Sequence, residues 1–463
     1  MPISLHLLHL APSCVSCTRL AHRPGFRLAN VSSAGHKEPA ASHALYLHPR
    51  EPSNMRIIQV NKYHFLKGGA ERYYLDLSAL QKDRGLQVQH LVMQHPRNLE
   101  LTPEDQTVSE VDYRGALSPW QKLQHGFKVI YNPETARAAT RLAQGPRPAV
   151  AHLHNIYHQL SPSLVHVFAK SGIPMVQTLH DYKLICPGYL LMTQGAVCER
   201  CKTKHYFHAF RHRCILGSGP ASLVGSVEGY VHEWWKTYSL IDRFLCPSRF
   251  MLEKVAEFGV PRHKLIHLPY LLPVEQYEPA NFPPDPACVY VGRLSREKGL
   301  PTLFRAMSLL PPSCKLTLRV LGEGPIEEEL RTFARKQCPD RIEFLGYQSG
   351  TALHDAIRRA AFAVLPSEWY ENYPFGILEP FALGRPVVGA AIGGIPELVV
   401  NGETGRLFES GNPYALAEAL EWMTSPQADP ERMGRNARAF VTETCDPQRH
   451  LAQLDEIYAG LHP

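Results

Sequence analysis

Twice along this chain, short unbroken apolar runs alternate with segments of helical period, and a proline-rich stretch at 279–286 separates the two series. The first series opens with Arg56–Val60, turns at Lys67-Gly68-Gly69, and continues with a helix pattern over 70–84. That pattern carries Tyr73, Tyr74, Leu77 and Leu80 on one face and closes at Gly85. An apolar run at 86–93 follows, with further units near 149–153, 164–170 and 175–179. The second series reads strand at 287–291, helix at 299–310, strand at 316–321, helix at 326–337, strand at 342–345 and strand at 361–365. Strands that are apolar throughout need cover on both faces, and a parallel sheet between helix layers supplies it. The fold class is therefore α/β, with two doubly wound domains at 55–278 and 287–445. Two such domains turn their strand carboxyl ends toward a shared cleft, the usual place for a ligand. The last segment, 446–463, reads as a helix expected to pack back on the first domain.

The 463 residues exceed what one ordinary core serves, in keeping with two domains. The formal charge of +6 is spread along the chain, so no nucleic-acid partner is expected, while an anionic lipid surface stays open as one. No run of 18 apolar residues occurs, and no transmembrane helix is expected. Residues 1–54 differ from the rest: they are rich in His, Pro, Ser and Ala and lack a long periodic pattern. They read as a disordered leader or a mis-assigned start, with Met55 as the functional beginning.

Chemistry concentrates in the stretch from Pro366 to Glu379. Glu371 falls in the loop after the strand at 361–365, and Glu379 in the early turns of a helix at 376–383 that ends at Gly384. Both can face the space before that helix, where free N–H groups attract an anion. In the same domain, Gly292-Arg293-Leu294-Ser295-Arg296-Glu297-Lys298-Gly299 follows a strand and precedes a helix. Arg293 can grip a diphosphate with two parallel bonds and Lys298 as a point charge. A solvated basic loop is the competing reading of these cations, and the nearby carboxylates favour the diphosphate. Glycine turns at Gly68-Gly69, Gly322/Gly324 and Gly393-Gly394 would let backbone N–H groups approach phosphate, although Gly322 and Gly324 read better as structural requirements of a strand–helix turn.

In combination, these motifs resemble the retaining glycosyltransferases of family 4. The matching residues are Gly68-Gly69-Ala-Glu71, Thr178-Leu-His180-Asp181, Pro247-Ser248-Arg-Phe250, Gly292-Arg293 with Lys298-Gly299, Glu371 with Glu379, Gly384-Arg-Pro-Val-Val388 and Gly393-Gly-Ile-Pro-Glu397. The resemblance runs from Met55 to the C-terminus and implies the GT-B architecture of two Rossmann-like domains. It also implies a donor site for a nucleotide-sugar, with catalytic roles for His180, Glu371, Arg293 and Lys298. Arg293 and Lys298 would hold the diphosphate, Glu379 the ribose and Glu371 a sugar hydroxyl. The backbone of Asn372, Tyr373, Pro374, Phe375 and Gly376 would contact sugar and phosphates, Gly69 would approach from the other domain, and Tyr347 would lie near the base. Pro380 departs from the family, which more often has Ala there. The implied reaction moves a sugar to a saccharide or lipid-linked hydroxyl with retention, in surface or extracellular polysaccharide synthesis. A cytoplasmic place follows, peripheral to the inner membrane face. The alternatives are another GT-B nucleotide-sugar enzyme, an epimerase or a phosphorylase, and a catalytically silent partner subunit.

No Asp-x-Asp motif occurs, so no catalytic cofactor is expected. Four of the 11 cysteines fall together as Cys186, Cys198, Cys201 and Cys214, and the CxxC among them favours a structural zinc over free thiols or two disulfides. His152, His154 and His158 lack convincing zinc spacing and are expected to line the acceptor cleft. Leu223, Val227, Tyr230, Val231, Trp234, Tyr238 and Ile241 mark one face over 223–241, for which core packing is expected. A membrane contact is the second reading of that face, given Lys202, Lys204, Arg211 and Arg213 nearby.

Overall fold

In a computed structural model of the chain, residues 55–111, 119–283 and 286–461 are described, all within one unit spanning Glu51–Pro463. The expectation for 1–54 lies outside these residues. The strands are β1 (Arg56–Val60), β2 (Gln87–Met93), β3 (Gln106–Val108), β4 (Ala149–Leu153), β5 (Met175–Thr178), β6 (Met192–Thr193), β7 (Ala196–Val197), β8 (Arg243–Cys246) and β9 (Leu265–His267). The second half adds β10 (Ala287–Val291), β11 (Thr317–Leu321), β12 (Ile342–Gly346), β13 (Phe362–Leu365), β14 (Val387–Ala390) and β15 (Gly405–Phe408). They form a seven-stranded sheet ordered β3-β2-β1-β4-β5-β8-β9 and a six-stranded sheet ordered β12-β11-β10-β13-β14-β15. Both sheets are parallel throughout, and the small hairpin β6–β7 is antiparallel. Strand order reverses between β1 and β4 and between β10 and β13, the two places where such sheets open a crevice.

Burial on both faces explains the continuous apolar runs. In β1, Ile57 joins a core cluster with Val150, Val176 and Leu245, while Ile58 and Val60 join Leu91, Ala151 and Leu153 in another. The C-terminal helix Pro447–Ala459 starts at an Asp446 cap and crosses to the first sheet. There, Tyr73 Oη meets His450 Nε2 at 3.0 Å, Tyr458 Oη meets His152 Nδ1 at 2.7 Å, and Arg84 pairs with Asp455 at 2.7 Å.

Four further hydrogen bonds tie the two sheets' loops together. Asn372 donates to the Leu179 carbonyl at 2.9 Å and accepts from Ser248 Oγ at 2.9 Å. The Glu397 carboxylate accepts the backbone N–H groups of Arg249 and Phe250, at the start of the helix Arg249–Glu257. A carboxylate at a helix N-terminus is favoured by the unpaired amides there.

Two expectations are corrected here. The helix Gly219–Trp234 buries its small and polar residues, Ser222, Gly225, Ser226, Glu228 and His232. Its apolar stripe of Leu223, Val227, Tyr230 and Trp234 faces outward, with Trp234 80% exposed, whereas Ile241 is buried in the core and Tyr238 packs against it as expected. Periodicity marks a stripe but does not say which way it faces. Glu228 points inward because it pairs with buried Lys183 at 2.6 Å. His152 of β4 and His154, just past the end of that strand, are buried rather than lining a cleft. They stand two apart in the chain with their rings stacked at 4.4 Å, and the His154 ring meets Tyr73 and Tyr74 of the helix Gly69–Asp83 edge-on.

Candidate donor-binding site

A cleft of about 680 Å³ opens between the two sets of strand carboxyl ends. From the first domain, Gly69, Arg72, His180 and Tyr270 line it. The second domain supplies Arg293, Lys298, Tyr347, Glu371, Asn372, Tyr373, Pro374, Phe375, Gly376 and Glu379. Every residue assigned to the donor site from the sequence therefore stands on one cavity wall. Asp181 is not among its lining residues.

Loop chemistry explains how the cations and carboxylates meet. Tyr290 Oη donates to the Arg293 carbonyl at 2.8 Å and holds the turn after β10, leaving the Arg293 side chain exposed. Gly299 adopts φ +70°, and a Cβ there would strike the Pro366 carbonyl, so only glycine lets the loop after β10 lie against the loop after β13. That contact brings Lys298 Nζ to 2.7 Å from Glu371 Oε1. The same oxygen accepts from Ser367 Oγ at 2.6 Å and from Trp369 Nε1 at 2.9 Å. The Lys298 ammonium also sits 4.9 Å from the centre of the Trp369 ring. Charge-assisted bonds of this kind hold a buried carboxylate in one orientation.

Glu379 meets a different environment. It lies on the helix Phe375–Ala382, half-buried at the cleft wall. Burial pushes its carboxyl up to about 7, opposed by Arg72 and reinforced by Asp76, with a Tyr277 hydrogen bond pulling the other way. Arg72 itself is bound to Asp76 at 2.8 Å and to Tyr277 Oη at 3.1 Å. Glu379 can thus exchange its proton near neutrality while facing a ligand. Pro380, inside this helix, lacks the N–H that would bond the Gly376 carbonyl, and Gly376 lines the cleft.

Gly69 begins its helix opposite Phe375, and an added Cβ would come 2.8 Å from the Phe375 ring. Gly393 and Gly394 are not among the residues that line the cleft. A Cβ at Gly393 would stand 2.6 Å from the Glu371 nitrogen, and Gly394 N–H donates to the Glu371 carbonyl at 2.7 Å. This turn shapes the Glu371 loop from behind. At Gly322 (φ +137°) and Gly324 a Cβ would collide with the carbonyls of Gly292 and Leu294, a structural requirement. His180 is bonded at both ring nitrogens, to Tyr270 Oη at 2.7 Å and to His154 Nδ1 at 3.0 Å.

Sequence reasoning missed Arg72, Tyr277, Ser367, Trp369 and Glu397. Ser367 and Trp369 lie inside the motif already singled out. Arg72 follows the Gly68-Gly69 turn by three positions, the offset that returns a helical side chain to the same face.

Away from the cleft, Cys186, Cys198, Cys201, Cys214, His208 and His212 line one cavity of about 10 Å³, and the four thiols are free. Among the described residues, however, no group of three or more such side chains is arranged to hold a metal ion. No helix among them is long and apolar enough to cross a membrane.

Comparison with known proteins agrees with this geometry. The family model for glycosyl transferases group 1 matches residues 275–440, and that for the glycosyl transferase 4-like domain matches 68–270. Glycogen synthase of Mycobacterium tuberculosis is 36% identical over 172 residues, 37% of this chain and 41% of that protein. N-acetyl-alpha-D-glucosaminyl L-malate synthase of Bacillus anthracis is 26% identical over 48% of this chain and 52% of its own length. The chain thus spans about half or less of each of these two curated relatives. Among solved structures, Anabaena HepE in complex with UDP and glucose aligns with a TM-score of 0.62 at 16% identity, covering 88% of this chain and 99% of that one. Sucrose-phosphate synthase of Thermosynechococcus elongatus aligns at 0.63 and 19% identity over the same shares. The fold is GT-B, and the chain carries a glycosyl transferase 4-like domain at 68–270 followed by a glycosyl transferases group 1 domain at 275–440.

Proposed function

We propose that the protein transfers a sugar from a nucleoside-diphosphate donor to a hydroxyl acceptor with retention of anomeric configuration. The observation that carries this reading is the single cleft that gathers Arg293, Lys298, Glu371 and Glu379. Arg293 and Lys298 neutralise the diphosphate as the glycosidic bond breaks, doing without a metal what a divalent ion would otherwise do. Glu379 accepts from the ribose hydroxyls. Glu371, held by Lys298, Ser367 and Trp369, orients a sugar hydroxyl. The acceptor oxygen attacks on the face the diphosphate leaves, and the departing phosphate oxygen takes its proton. Bond making and breaking then balance without an enzymic base. The position of Asp181 supports this front-face course: it accepts the Lys183 backbone N–H and does not line the cleft.

The test is a panel of nucleotide-sugars, UDP-glucose included, scored for stabilisation and nucleoside-diphosphate release, with NMR of the product anomer. Turnover abolished in Glu371→Ala separates an enzyme from a silent partner subunit, and an inverted product or a trapped covalent glycosyl-enzyme overturns the front-face course. We place the acceptor, a saccharide or a lipid-linked one, in surface or extracellular polysaccharide synthesis at the cytoplasmic membrane face. The outward stripe of Leu223, Val227, Tyr230 and Trp234, with Arg211 and Arg213 nearby in the chain, supports that setting. For the cysteine cluster we propose a structural zinc. The donor set and a cavity about one atom wide support it, and the thiols must turn inward to ligate.

A further inference from the structure

A continuous chain of side-chain hydrogen bonds runs beneath the first domain's sheet and ends in the cleft. Gln59 of β1 donates to Gln81 Oε1 at 2.8 Å, and its own Oε1 lies 2.7 Å from His154 Nε2. His154 Nδ1 lies 3.0 Å from His180 Nε2, and His180 Nδ1 lies 2.7 Å from Tyr270 Oη. On the other side, Gln81 Nε2 donates to Tyr458 Oη at 3.4 Å, and Tyr458 reaches His152 Nδ1 at 2.7 Å. His152 Nε2 then meets Thr178 Oγ1 at 2.7 Å.

With the Gln59 and Gln81 amides oriented in this way, the contacts set which ring nitrogens carry protons along the branch that ends at Tyr270. Because the Gln59 amide nitrogen is spent on Gln81, its oxygen must accept, so His154 carries its proton on Nε2. His154 Nδ1 is then a lone pair, His180 donates from Nε2, and His180 Nδ1 accepts from the Tyr270 hydroxyl. A histidine at the donor cleft is thereby left without a free lone pair or a free N–H.

We propose that this chain is a positioning device that locks His180 as the neutral Nε2–H tautomer, so that the ring beside the donor neither relays a proton nor carries charge. The proposal rests on the transferase reading above. As the glycosidic bond loosens, positive charge grows on the sugar, and an imidazolium beside it would oppose that change. A neutral ring does not. Gln59, Gln81, His154 and Tyr458 touch no substrate and act through His180. Groups facing the pair are consistent with neutrality: Tyr73, Tyr74 and Tyr270 present rings, His152 stacks on His154, and His90 and Lys62 disfavour protonation. Asp181, next in sequence, is turned to the Lys183 N–H. Burial agrees, pushing His180 down to about 3 and His154 well below its ordinary value.

Two experiments test it. In protein carrying 15N-labelled histidine, with His180→Asn assigning the signals, His180 should remain Nε2–H from pH 5.5 to 8. A doubly protonated ring or the Nδ1–H form at pH 7 overturns the proposal, and this measurement needs no substrate. Second, Gln59→Glu puts a carboxylate against His154 and raises the proton affinity of the histidine pair. With UDP-glucose as donor, wild-type kcat should carry no histidine ionisation over that range. The variant should lose about tenfold in kcat from pH 8 to 6 with KM held, a fold-change of one pH-coupled step. A wild-type pH profile in a folded Gln59→Glu variant overturns the proposal. Absence of any UDP-glucose turnover counts against that donor instead, and leaves the tautomer measurement to decide.

Discussion

Replacing Glu379 with Gln should stabilise the protein and disarm it, and the size of the gain follows from its surroundings. The carboxyl is raised from an ordinary 4.5 to about 7, mainly by burial. A raised carboxyl favours folding while it is protonated, so its contribution is fully present below about 4.5 and is lost as pH rises through about 7. That difference corresponds to about 3 kcal/mol of cost for holding the charge at pH 8.5. Glutamine keeps the shape and the Tyr277 hydrogen bond but never ionises. With an unfolding entropy of about 2.1 cal/mol/K per residue over roughly 400 residues, about 3 kcal/mol raises Tm by about 4 °C. Thermal melts of both proteins at pH 5 and pH 8.5 check this, with UDP added as the ligand probe. The expected result is a gap of only about 1 °C at pH 5, a gap of about 4 °C in favour of Glu379→Gln at pH 8.5, and UDP stabilisation that is smaller in the variant than in wild type. A variant no more stable than wild type at pH 8.5 would refute the reasoning. So would UDP stabilisation that survives undiminished in the variant.

Other perturbations separate the remaining parts. Lys298→Met leaves Glu371 buried with Ser367 and Trp369 as its partners, and should cost about 3 kcal/mol in chemical unfolding and at least about 100-fold in turnover. Gly69→Ala pushes a methyl group against the Phe375 ring, which can swing aside, so Tm should hold while donor KM rises about tenfold. Elemental analysis of protein purified without chelator should find one zinc per chain, with Cys198→Ser and Cys201→Ser losing it; a metal-free wild type removes the zinc. Trp234→Ser should weaken sedimentation with anionic liposomes while leaving turnover of a soluble acceptor unchanged, and a wild type that ignores such liposomes removes the membrane contact.

How much of this was readable beforehand differs between strand, loop and helix. Parallel strands such as Arg56–Val60 and Ala287–Val291 announce themselves because burial on both faces leaves no polar alternation to confuse them. The loops after β10 and β13 were legible through charge and glycine, since Gly299 is demanded by a close backbone approach and Lys298 follows from it. Direction was not legible. The apolar stripe of Gly219–Trp234 was visible, but its outward orientation depends on Lys183 drawing Glu228 inward from 45 residues away. The parity of His152 and His154 was visible too, yet which face of the sheet they share depends on helices packed from elsewhere in the chain. Arg72 and Tyr277 could not be tied to Glu379 without the cleft, because both approach it from the other domain.

The two glutamates that mark this site are therefore not a matched pair. Glu371 has a lysine at 2.7 Å and two further donors on one oxygen, so its charge is balanced before any ligand arrives. A cation that balances a carboxylate is also less free to serve a phosphate. Lys298 must either share its protons between Glu371 and the donor or swing toward the diphosphate and leave Glu371 to the sugar. Its ammonium has three protons, and only Glu371 takes one by direct hydrogen bond among the described residues, so sharing is available without breaking the pair. Glu379, by contrast, has Arg72 committed to Asp76 and Tyr277, and sits poised near neutrality. A ligand that offers hydroxyl donors to Glu379 stabilises its charged form and releases the cost of burying it. Donor binding should thus be coupled to loss of the Glu379 proton: below about pH 7 the affinity for UDP should fall with falling pH in wild type, and in Glu379→Gln the slope should flatten to what the UDP phosphate itself contributes. Calorimetric titrations of UDP in buffers of different ionisation enthalpy would read that proton as the difference between the two proteins, and a proton count at pH 6.5 no different in wild type and Glu379→Gln would mean that Glu379 does not hold the ribose.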